Sequence, residues 1–305
     1  MKEFSFPVRN NTKIHCCKWE PEGEPCGFIQ IIHGIAEYAA RYEGLAKVFT
    51  DHGFVVVAED HMGHGSSISE GIPQGCIAGG WGEMASDSYR LFAMTKEDYP
   101  ELPCFLYGHS MGSFLTRTLL YTYPDAGWDG VVISGTGWMP KIVLKGGRGV
   151  CKFEGRKDMN ASNPTVSKLM FGSYNKGFEN PRTPYDWLSR DEAVVDRYIA
   201  DPLCGFDPSV GLAYEMLGGM LRNQDAKNLA KMPKDLPVFF VAGAKDPVGS
   251  EGKGVEQTAA AFRAAGMKDV TCKLYPDCRH EMHNELNKEE LHRDVLAFFE
   301  RVMKK

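Results

Sequence analysis

The stretch of residues 103–113 constrains the fold of this chain more than any other part of its sequence. Its apolar run leads into Gly-His-Ser-Met-Gly at residues 108–112, and a helical pattern over residues 114–123 follows at once. A Gly-x-Ser-x-Gly motif between a strand and a helix predicts a nucleophile elbow, a turn so tight that bulky neighbours cannot fit. The elbow lifts the Ser110 hydroxyl above the sheet at a helix N-terminus, which favours developing negative charge. The motif alone leaves open an ordinary strand-to-helix turn with a surface serine.

Strands and helices alternate at both ends of the chain. Nearly continuous apolar runs are typical of parallel strands that are buried on both faces. Such runs occupy residues 27–34, 53–58, 128–134 and 237–243, and helical patterns occupy residues 38–51 and 83–99. We therefore expect an α/β fold with a mostly parallel central sheet flanked by helices. Ahead of the first run, two short strand patterns predict a hairpin around a turn from Arg9 to Thr12.

The alternation breaks in the middle of the chain. Between about residues 135 and 231 there is no strand rich in Val or Ile, and short helical patterns occur near residues 165–171, 192–199 and 210–223. The alternation resumes with a helix near residues 255–265, a strand at 270–275 and a last helix at 288–302. The predicted organisation is a core half at residues 1–135, an inserted helical segment at 136–231, and a second core half at 232–305.

The composition excludes several classes of protein. The 305 residues are 43% hydrophobic and 25% charged, and the net charge of -5 provides no basic surface for nucleic acid. No apolar run reaches about eighteen residues, and the first residues lack the apolar segment of a secretion signal. The nine cysteines are scattered without a Cys-x-x-Cys pair, so neither a disulfide framework nor zinc spacing is supported. Thiols within apolar runs, such as Cys104 and Cys272, favour a reducing compartment, and we expect a cytoplasmic protein.

A serine nucleophile needs a base and a carboxylate that orients the base. In a parallel sheet such groups follow the C-terminal ends of strands. Asp246 follows the strand predicted at residues 237–243, and His280 is the first histidine after the strand predicted at 270–275. The chain order Ser110, Asp246, His280 is the order that this arrangement requires.

Each of these residues also has a simpler interpretation. The role of Asp246 could be limited to starting a turn before Pro247. His280 is one of nine histidines, so its position alone is weak evidence for catalysis. Asp277 is a competing acid on the same loop as the histidine, and we expect it at the surface or in a turn.

Two backbone N–H groups are the usual donors to the oxyanion of an acyl-transfer transition state. One should come from Met111, directly after the serine. The other should come from the loop that follows the first buried strand, His-Gly-Ile-Ala-Glu at residues 33–37, in which Ile35 is the expected donor.

The remaining histidines do not form a recognisable metal motif. The sequence His-Glu-Met-His at residues 280–283 lacks the zincin spacing, and His61 and His64 lie in a glycine-rich turn. We therefore predict no catalytic metal and no cofactor. His109, inside the elbow, is expected to be a packed neighbour of the site.

Five motifs together resemble the monoacylglycerol lipase and lysophospholipase group of α/β-hydrolases, which belongs to the wider serine aminopeptidase-like hydrolase family. They are HGxxE at 33–37, DHxGHGxS at 60–67, GHSMG at 108–112, DPVG at 246–249 and RHE at 279–281. Residues 185–190 and 198–206 resemble bacterial members. The resemblance implies an α/β-hydrolase fold with a helical cap inserted after the sixth core strand. It also implies a serine esterase with Ser110 as nucleophile, His280 as base, Asp246 as orienting acid, and Ile35 and Met111 as oxyanion donors.

The inserted segment offers apolar side chains that could line a channel for a fatty acyl chain. The candidate substrate-binding residues are Leu169, Met170, Phe171, Trp187, Leu212, Met216, Leu217 and Met220. Those from Leu212 onward have helical spacing, which is more often typical of packed core than of a ligand wall. Six Lys and Arg residues between Lys141 and Lys157 suggest transient contact with an anionic lipid surface, although such a run is usually a solvated face.

The expected function is cleavage of carboxylic esters through an acyl-serine intermediate, with monoacylglycerols or similar lipid esters as substrates. Three alternatives remain at this point: a peptidase or amidase that uses the same residues, an acyltransferase, and a binding protein without catalysis. The oligomeric state is not predictable from the sequence.

Overall fold

A computed structural model describes residues 1–9 and 12–304 of the chain. Its centre is an eight-stranded sheet in the order β1-β2-β4-β3-β5-β6-β7-β8. The strands are β1 (Lys2–Pro7), β2 (Lys13–Trp19), β3 (Gly27–Ile32), β4 (Phe54–Glu59), β5 (Cys104–His109), β6 (Gly130–Ser134), β7 (Val238–Gly243) and β8 (Val270–Tyr275). β2 pairs antiparallel with β1 and β4, and all other neighbours are parallel. The predicted fold class is therefore confirmed, whereas Asn10 and Asn11 of the predicted hairpin turn lie outside the described residues.

Ten helices occur in the part of the chain that the structure describes. They are α1 (Glu43–Thr50), α2 (Gly80–Asp98), α3 (Met111–Thr122), α4 (Lys141–Glu154), α5 (Pro164–Phe171), α6 (Glu192–Ala200), α7 (Val210–Asn223), α8 (Ala226–Lys231), α9 (Lys253–Ala264) and α10 (Lys288–Met303). Helices α4 to α8 lie between β6 and β7, which is where the insertion was predicted. None of the described helices has both the length and the apolar character needed to cross a bilayer.

The central strands are buried on both faces because helices cover each side of the sheet. Along β3, Phe28 and Ile32 belong to one apolar layer, and Ile29 and Ile31 belong to the other. This alternation follows from the two-residue period of a strand. It explains why β3 to β7 read as continuous apolar runs in the sequence.

Helix α4 is the main element that the sequence patterns do not predict. Its three glycines lower helix propensity, and the basic residues on its polar face are equally typical of a solvated charged segment. The structure gives a reason for one of them: a Cβ on Gly147 would lie 3.0 Å from Cδ1 of Leu217, so the glycine lets α4 pack closely on α7. Leu144, Gly147 and Cys151 form the buried stripe of this helix, with the spacing of an amphipathic helix.

The first predicted helix is also divided in two. Ala39–Tyr42 forms a 3-10 turn, and the α-helix begins only at Glu43. The N–H of Ala39 donates to Asp60 Oδ1 at 2.8 Å, which fixes the start of the 3-10 turn against the loop after β4.

Side chains near the ends of the inserted segment hold it to the core helix α3. Arg117 Nη1 donates to the carbonyl of Gly137 at 3.0 Å, just after β6. Asn223 Nδ2, at the end of α7, donates to the carbonyl of Phe114 at 2.8 Å. The segment is therefore attached directly to the helix that follows Ser110.

Candidate active site

Ser110 lies at the junction of β5 and α3 in a conformation that few residues other than glycine adopt. Its φ is 53° and its ψ is -121°, and its N–H donates to the carbonyl of Ser134 at 3.0 Å. A Cβ on Gly112 would lie 1.9 Å from the carbonyl oxygen of Ile32, and one on Gly108 would lie 2.0 Å from Thr116 Oγ1. Both glycines of the motif are thus required by close packing around a strained serine.

His280 and Asp246 form a buried pair. Nδ1 of His280 lies 2.9 Å from Oδ2 of Asp246, and Oδ1 of Asp246 accepts the N–H of Val248 at 2.9 Å. A proton on Nδ1 satisfies the carboxylate and leaves Nε2 of His280 as a base.

Burial opposes the charged form of His280, but the charge and hydrogen bond of Asp246 outweigh it. Together with the more distant carboxylates of Glu281 and Glu37, they raise the pKa of His280 above its ordinary value of 6.5. The environment therefore stabilises the imidazolium that a general base becomes.

Aromatic rings hold the imidazole of His280 in place. Its centroid lies 4.7 Å from that of His109 and 5.1 Å from that of Trp187. A Cβ on Gly135 would lie 3.0 Å from Cε1 of both histidines. His280 and Ser110 both line a cavity of about 410 Å³.

The loop after β3 passes directly beside Ser110. A Cβ on Gly34 would lie 3.0 Å from Cβ of Ser110, and the N–H of Gly34 is occupied by Glu37 Oε1 at 2.6 Å. Ile35 lines the cavity next to Ser110. Met111 is the first residue of α3, so its N–H has no partner within the helix.

A buried ionic network connects the loop after β3 to the loop that carries His280. Arg41 donates to Glu37 Oε2 at 2.5 Å and to both oxygens of Glu281 at 2.9 Å. Tyr42 donates to Glu37 Oε1 at 2.8 Å. Burial raises the pKa of Glu37. At Glu281 burial also acts to raise the pKa, but the charge and hydrogen bond of Arg41, together with His283 and Asn284, outweigh it and lower the pKa to about 2.

Sequence reasoning missed the role of Arg41 in this network. Glu37 belongs to the quoted HGxxE motif, and its i,i+4 spacing to Arg41 was the available signal. The contact of Arg41 with Glu281 joins residues 240 positions apart, and nothing in a single sequence indicates it.

The other histidines of the motifs are buried and neutral. His61 Nε2 lies 3.0 Å from the carbonyl of His33, and burial lowers the pKa of His64 to about 4. His109 Nδ1 lies 3.1 Å from Ser134 Oγ, so His109 is a packed neighbour of the site. His283 stacks on Tyr42 at 4.5 Å between centroids.

A second, more apolar cavity of about 300 Å³ also reaches Ser110. Seven of the eight predicted substrate-binding side chains line one or both cavities: Leu169, Met170, Phe171, Trp187, Met216, Leu217 and Met220. The eighth, Leu212, is fully buried in the core and lines neither of these two cavities.

Asp277, the competing acid, is exposed and has a positive φ of 60°.

The sheet topology and the serine elbow define an α/β-hydrolase. Residues 23–287 match the family described as Serine aminopeptidase, S33. Because the match covers most of the chain, this protein belongs to that hydrolase family.

Individual proteins are similar over nearly the whole chain. It is 29% identical to a monoacylglycerol lipase of Mycolicibacterium smegmatis, over 97% of this chain and 96% of the relative. It is 28% identical to the human monoglyceride lipase, over 90% and 81%. Among solved structures, a thermostable carboxyl esterase from Bacillus coagulans in complex with glycerol is 30% identical, with a TM-score of 0.91 over 99% of this chain and 98% of that one.

Proposed function

We propose that this carboxylic ester hydrolase cleaves monoacylglycerols or closely related lipid esters, with Ser110, His280 and Asp246 as its catalytic residues. The observation that carries the proposal is the buried His280–Asp246 pair, which lines the same cavity as the strained elbow serine. The relatives named as monoacylglycerol and monoglyceride lipases support the substrate class.

In the acylation step, Nε2 of His280 removes the proton of the Ser110 hydroxyl while the oxygen attacks the ester carbonyl. The resulting imidazolium is stabilised by Asp246. Negative charge develops on the carbonyl oxygen, where the N–H groups of Ile35 and Met111 are the proposed donors. Each such donor is worth about 10²–10³ in rate.

The tetrahedral intermediate collapses when His280 returns its proton to the leaving alcohol, and the acyl group stays on Ser110. A water molecule then enters, His280 takes its proton, and the second intermediate releases a carboxylic acid and the free serine. No cofactor takes part in these steps.

The two cavities suggest where the parts of the substrate lie. The cavity of about 300 Å³ is lined by Met111, Phe114 and the methionines of α7, and it suits an apolar acyl chain. The cavity of about 410 Å³ carries polar side chains such as Asn175 and Asp207, and it suits a hydroxylated leaving group. Residues 136–231 would then act as a cap that supplies the walls of both.

The test compares ester and amide substrates directly. Rates with monoacylglycerols of increasing chain length, p-nitrophenyl esters and aminoacyl-naphthylamides are measured for the wild type and for Ser110→Ala. We expect ester turnover that Ser110→Ala abolishes and little amide turnover. Faster turnover of the amides would assign the chain to peptidases, and new esters formed on addition of glycerol would assign it to acyltransferases.

We further propose that the cap contacts anionic lipid surfaces transiently through α4. This helix carries Lys141, Lys145, Arg148 and Lys152, and its Ile142 and Phe153 are 77% and 63% exposed. Basic side chains near an anionic surface contribute about 1 kcal/mol each. Equal binding to neutral and anionic vesicles, without dependence on salt, would remove this part of the proposal.

The nine cysteines, all among the described residues, form no disulfide. We propose a reducing compartment such as the cytoplasm on that basis. Fractionation of cells that express the protein tests this assignment.

A further inference from the structure

Three side chains of different chemistry converge on one face of the β1–β2 hairpin. Glu3 pairs with Cys17 across the two strands, and His15 lies two residues before Cys17 on β2. Because side chains alternate along a strand, these three share a face. A carboxylate oxygen of Glu3, a ring nitrogen of His15 and the Sγ of Cys17 all lie within 4.8 Å of one another.

The imidazole of His15 is oriented by a carboxylate behind it. Its Nδ1 lies 3.0 Å from Oδ2 of Asp60, and Asp60 is itself held by the N–H groups of Ala39 and Ser66, both at 2.8 Å. With its proton on Nδ1, His15 presents the lone pair of Nε2 toward Glu3, whose Oε2 is 3.9 Å away. Histidines that bind metals usually donate their other ring N–H to an outer partner, which is a carboxylate, a backbone carbonyl or water.

The electrostatic surroundings of Cys17 favour a cation. The carboxylates of Asp60, Glu3 and Glu43 all act electrostatically on its side chain. A bound divalent cation compensates the carboxylates and displaces the thiol proton, which passes to solvent.

We propose that Glu3, His15 and Cys17 bind one thiophilic divalent cation, of which Zn²⁺ is the best match, with water in the fourth position. Zinc binds carboxylate, imidazole and thiolate at about 2.0–2.3 Å in a tetrahedron. Ligand atoms around one ion therefore lie roughly 3.3–3.8 Å apart. Nε2 of His15 lies 3.9 Å from Oε2 of Glu3, and no two ligand atoms are more than 4.8 Å apart, so small rotations of the Glu3 and Cys17 side chains bring all three within that range.

The site stands apart from ester cleavage. The sheet order places β4 and β3 between β2 and β5, the strand that leads to Ser110. The cation would instead link β1 to β2 and stabilise the edge of the sheet. No sequence motif predicts this site. Its ligands are a His-x-Cys pair on β2 and a glutamate on β1 that lies twelve residues before the histidine.

The test uses the full-length chain, freed of metal by dialysis against a chelator. Zn²⁺ binding is measured by calorimetry, and Co²⁺ is used as a spectroscopic probe because a thiolate ligand produces an intense near-ultraviolet charge-transfer band. We expect one Zn²⁺ per chain and this band in the wild type. Cys17→Ser should lose the band and at least about 100-fold in Zn²⁺ affinity, since even an outer partner contributes about 10–100-fold.

Two further variants distinguish a loss of Zn²⁺ binding from a folding defect, and binding at this site from binding to another thiol. Glu3→Ala changes an exposed residue, so it should fold normally and weaken Zn²⁺ binding at least about tenfold. Cys26→Ser removes the exposed thiol of the chain and should bind Zn²⁺ as the wild type does. Zn²⁺ should also raise the Tm of the wild type and not that of Cys17→Ser. A wild type that binds no Zn²⁺, a Co²⁺ band that survives in Cys17→Ser, or a band lost in Cys26→Ser would each overturn the proposal.

Discussion

Ser110 is held at a positive φ by its surroundings rather than by its own preference. A non-glycine residue in such a region costs about 1–3 kcal/mol, and the cost persists only where packing fixes the conformation. Here Gly108 and Gly112 allow β3 and α3 to approach the serine more closely than any side chain would permit. The strain, the glycines and the exposure of the hydroxyl to the cavity are parts of one arrangement.

Gly112→Ala should abolish the elbow. The added Cβ would lie 1.9 Å from the Ile32 carbonyl oxygen and 2.5 Å from that of His33, so the backbone beside Ser110 must move. A displacement of about 1 Å costs about 10² in rate, and we expect kcat/KM to fall at least that far. Gly44→Ala is the matched control, because nothing lies within 4 Å of its added Cβ on α1. If Gly112→Ala retained the wild-type kcat/KM for a p-nitrophenyl ester, the elbow geometry would be wrong.

The raised pKa of His280 predicts where activity is lost at low pH. The neutral imidazole is the reactive form, so kcat/KM should fall as the pH drops through a value above 6.5. In Asp246→Asn the main group that raises the pKa of His280 is gone. The acid limb of the pH profile should then move to lower pH, and kcat should fall about 10⁴-fold.

The measurement is a pH–rate profile of both enzymes with a soluble ester. An unchanged acid limb in Asp246→Asn, or a wild-type limb centred below pH 6.5, would contradict the assigned pair.

At the scale of elements, the Glu37–Arg41–Glu281 network joins the two loops that flank the serine. The loop after β3, which carries the proposed oxyanion donor Ile35, is held through the Gly34 N–H, and the loop that carries His280 is held at the next residue, Glu281. A change at Arg41 therefore affects the positions of both loops without touching Ser110.

Arg41→Met should destabilise the protein strongly. Removing one partner of a buried ion pair costs about 3–5 kcal/mol, because the remaining charges are left unpaired. Urea unfolding should show this loss, and kcat should fall with it. Lys47→Met provides the control, since the Lys47–Asp51 pair at the end of α1 is exposed and its loss should leave the free energy of unfolding unchanged. Equal effects of the two substitutions would show that the network contributes nothing.

Helix α7 should set the acyl chain length through the methionines that face the apolar cavity. Met216→Trp should fill the space that about two methylene groups of the acyl chain occupy. Because the burial of each methylene contributes about 0.8 kcal/mol, kcat/KM for long-chain monoacylglycerols should fall about tenfold. Turnover of p-nitrophenyl acetate should not change. Tyr214→Trp, on the same helix but outside the lining of this cavity, should leave both activities unchanged. A uniform loss for all chain lengths would place the acyl chain elsewhere.

At the scale of the whole molecule, the sequence predicts what local chemistry determines. The parallel sheet, the elbow at Ser110 and the strand ends that carry Asp246 and His280 all follow from apolar periodicity and motif position. Helix α4 is not predicted because its three glycines lower helix propensity, and the reason for one of them, Gly147, is its packing on α7. Leu212 shares the spacing of Met216 and Met220 but is buried in the core. Helical periodicity predicts which residues share a face of the helix, but it does not predict what that face packs against. The Arg41–Glu281 contact and the Glu3–His15–Cys17 cluster depend on which strands and loops meet in space.

The central claim is that Ser110, activated by His280, becomes the acylated atom. Labelling with a fluorophosphonate, followed by peptide mass spectrometry, tests it most directly. We predict one adduct per chain, located on Ser110, absent in Ser110→Ala and at least about 10³-fold slower to form in His280→Ala. An adduct on another residue, or ester hydrolysis that persists in Ser110→Ala, would contradict the account.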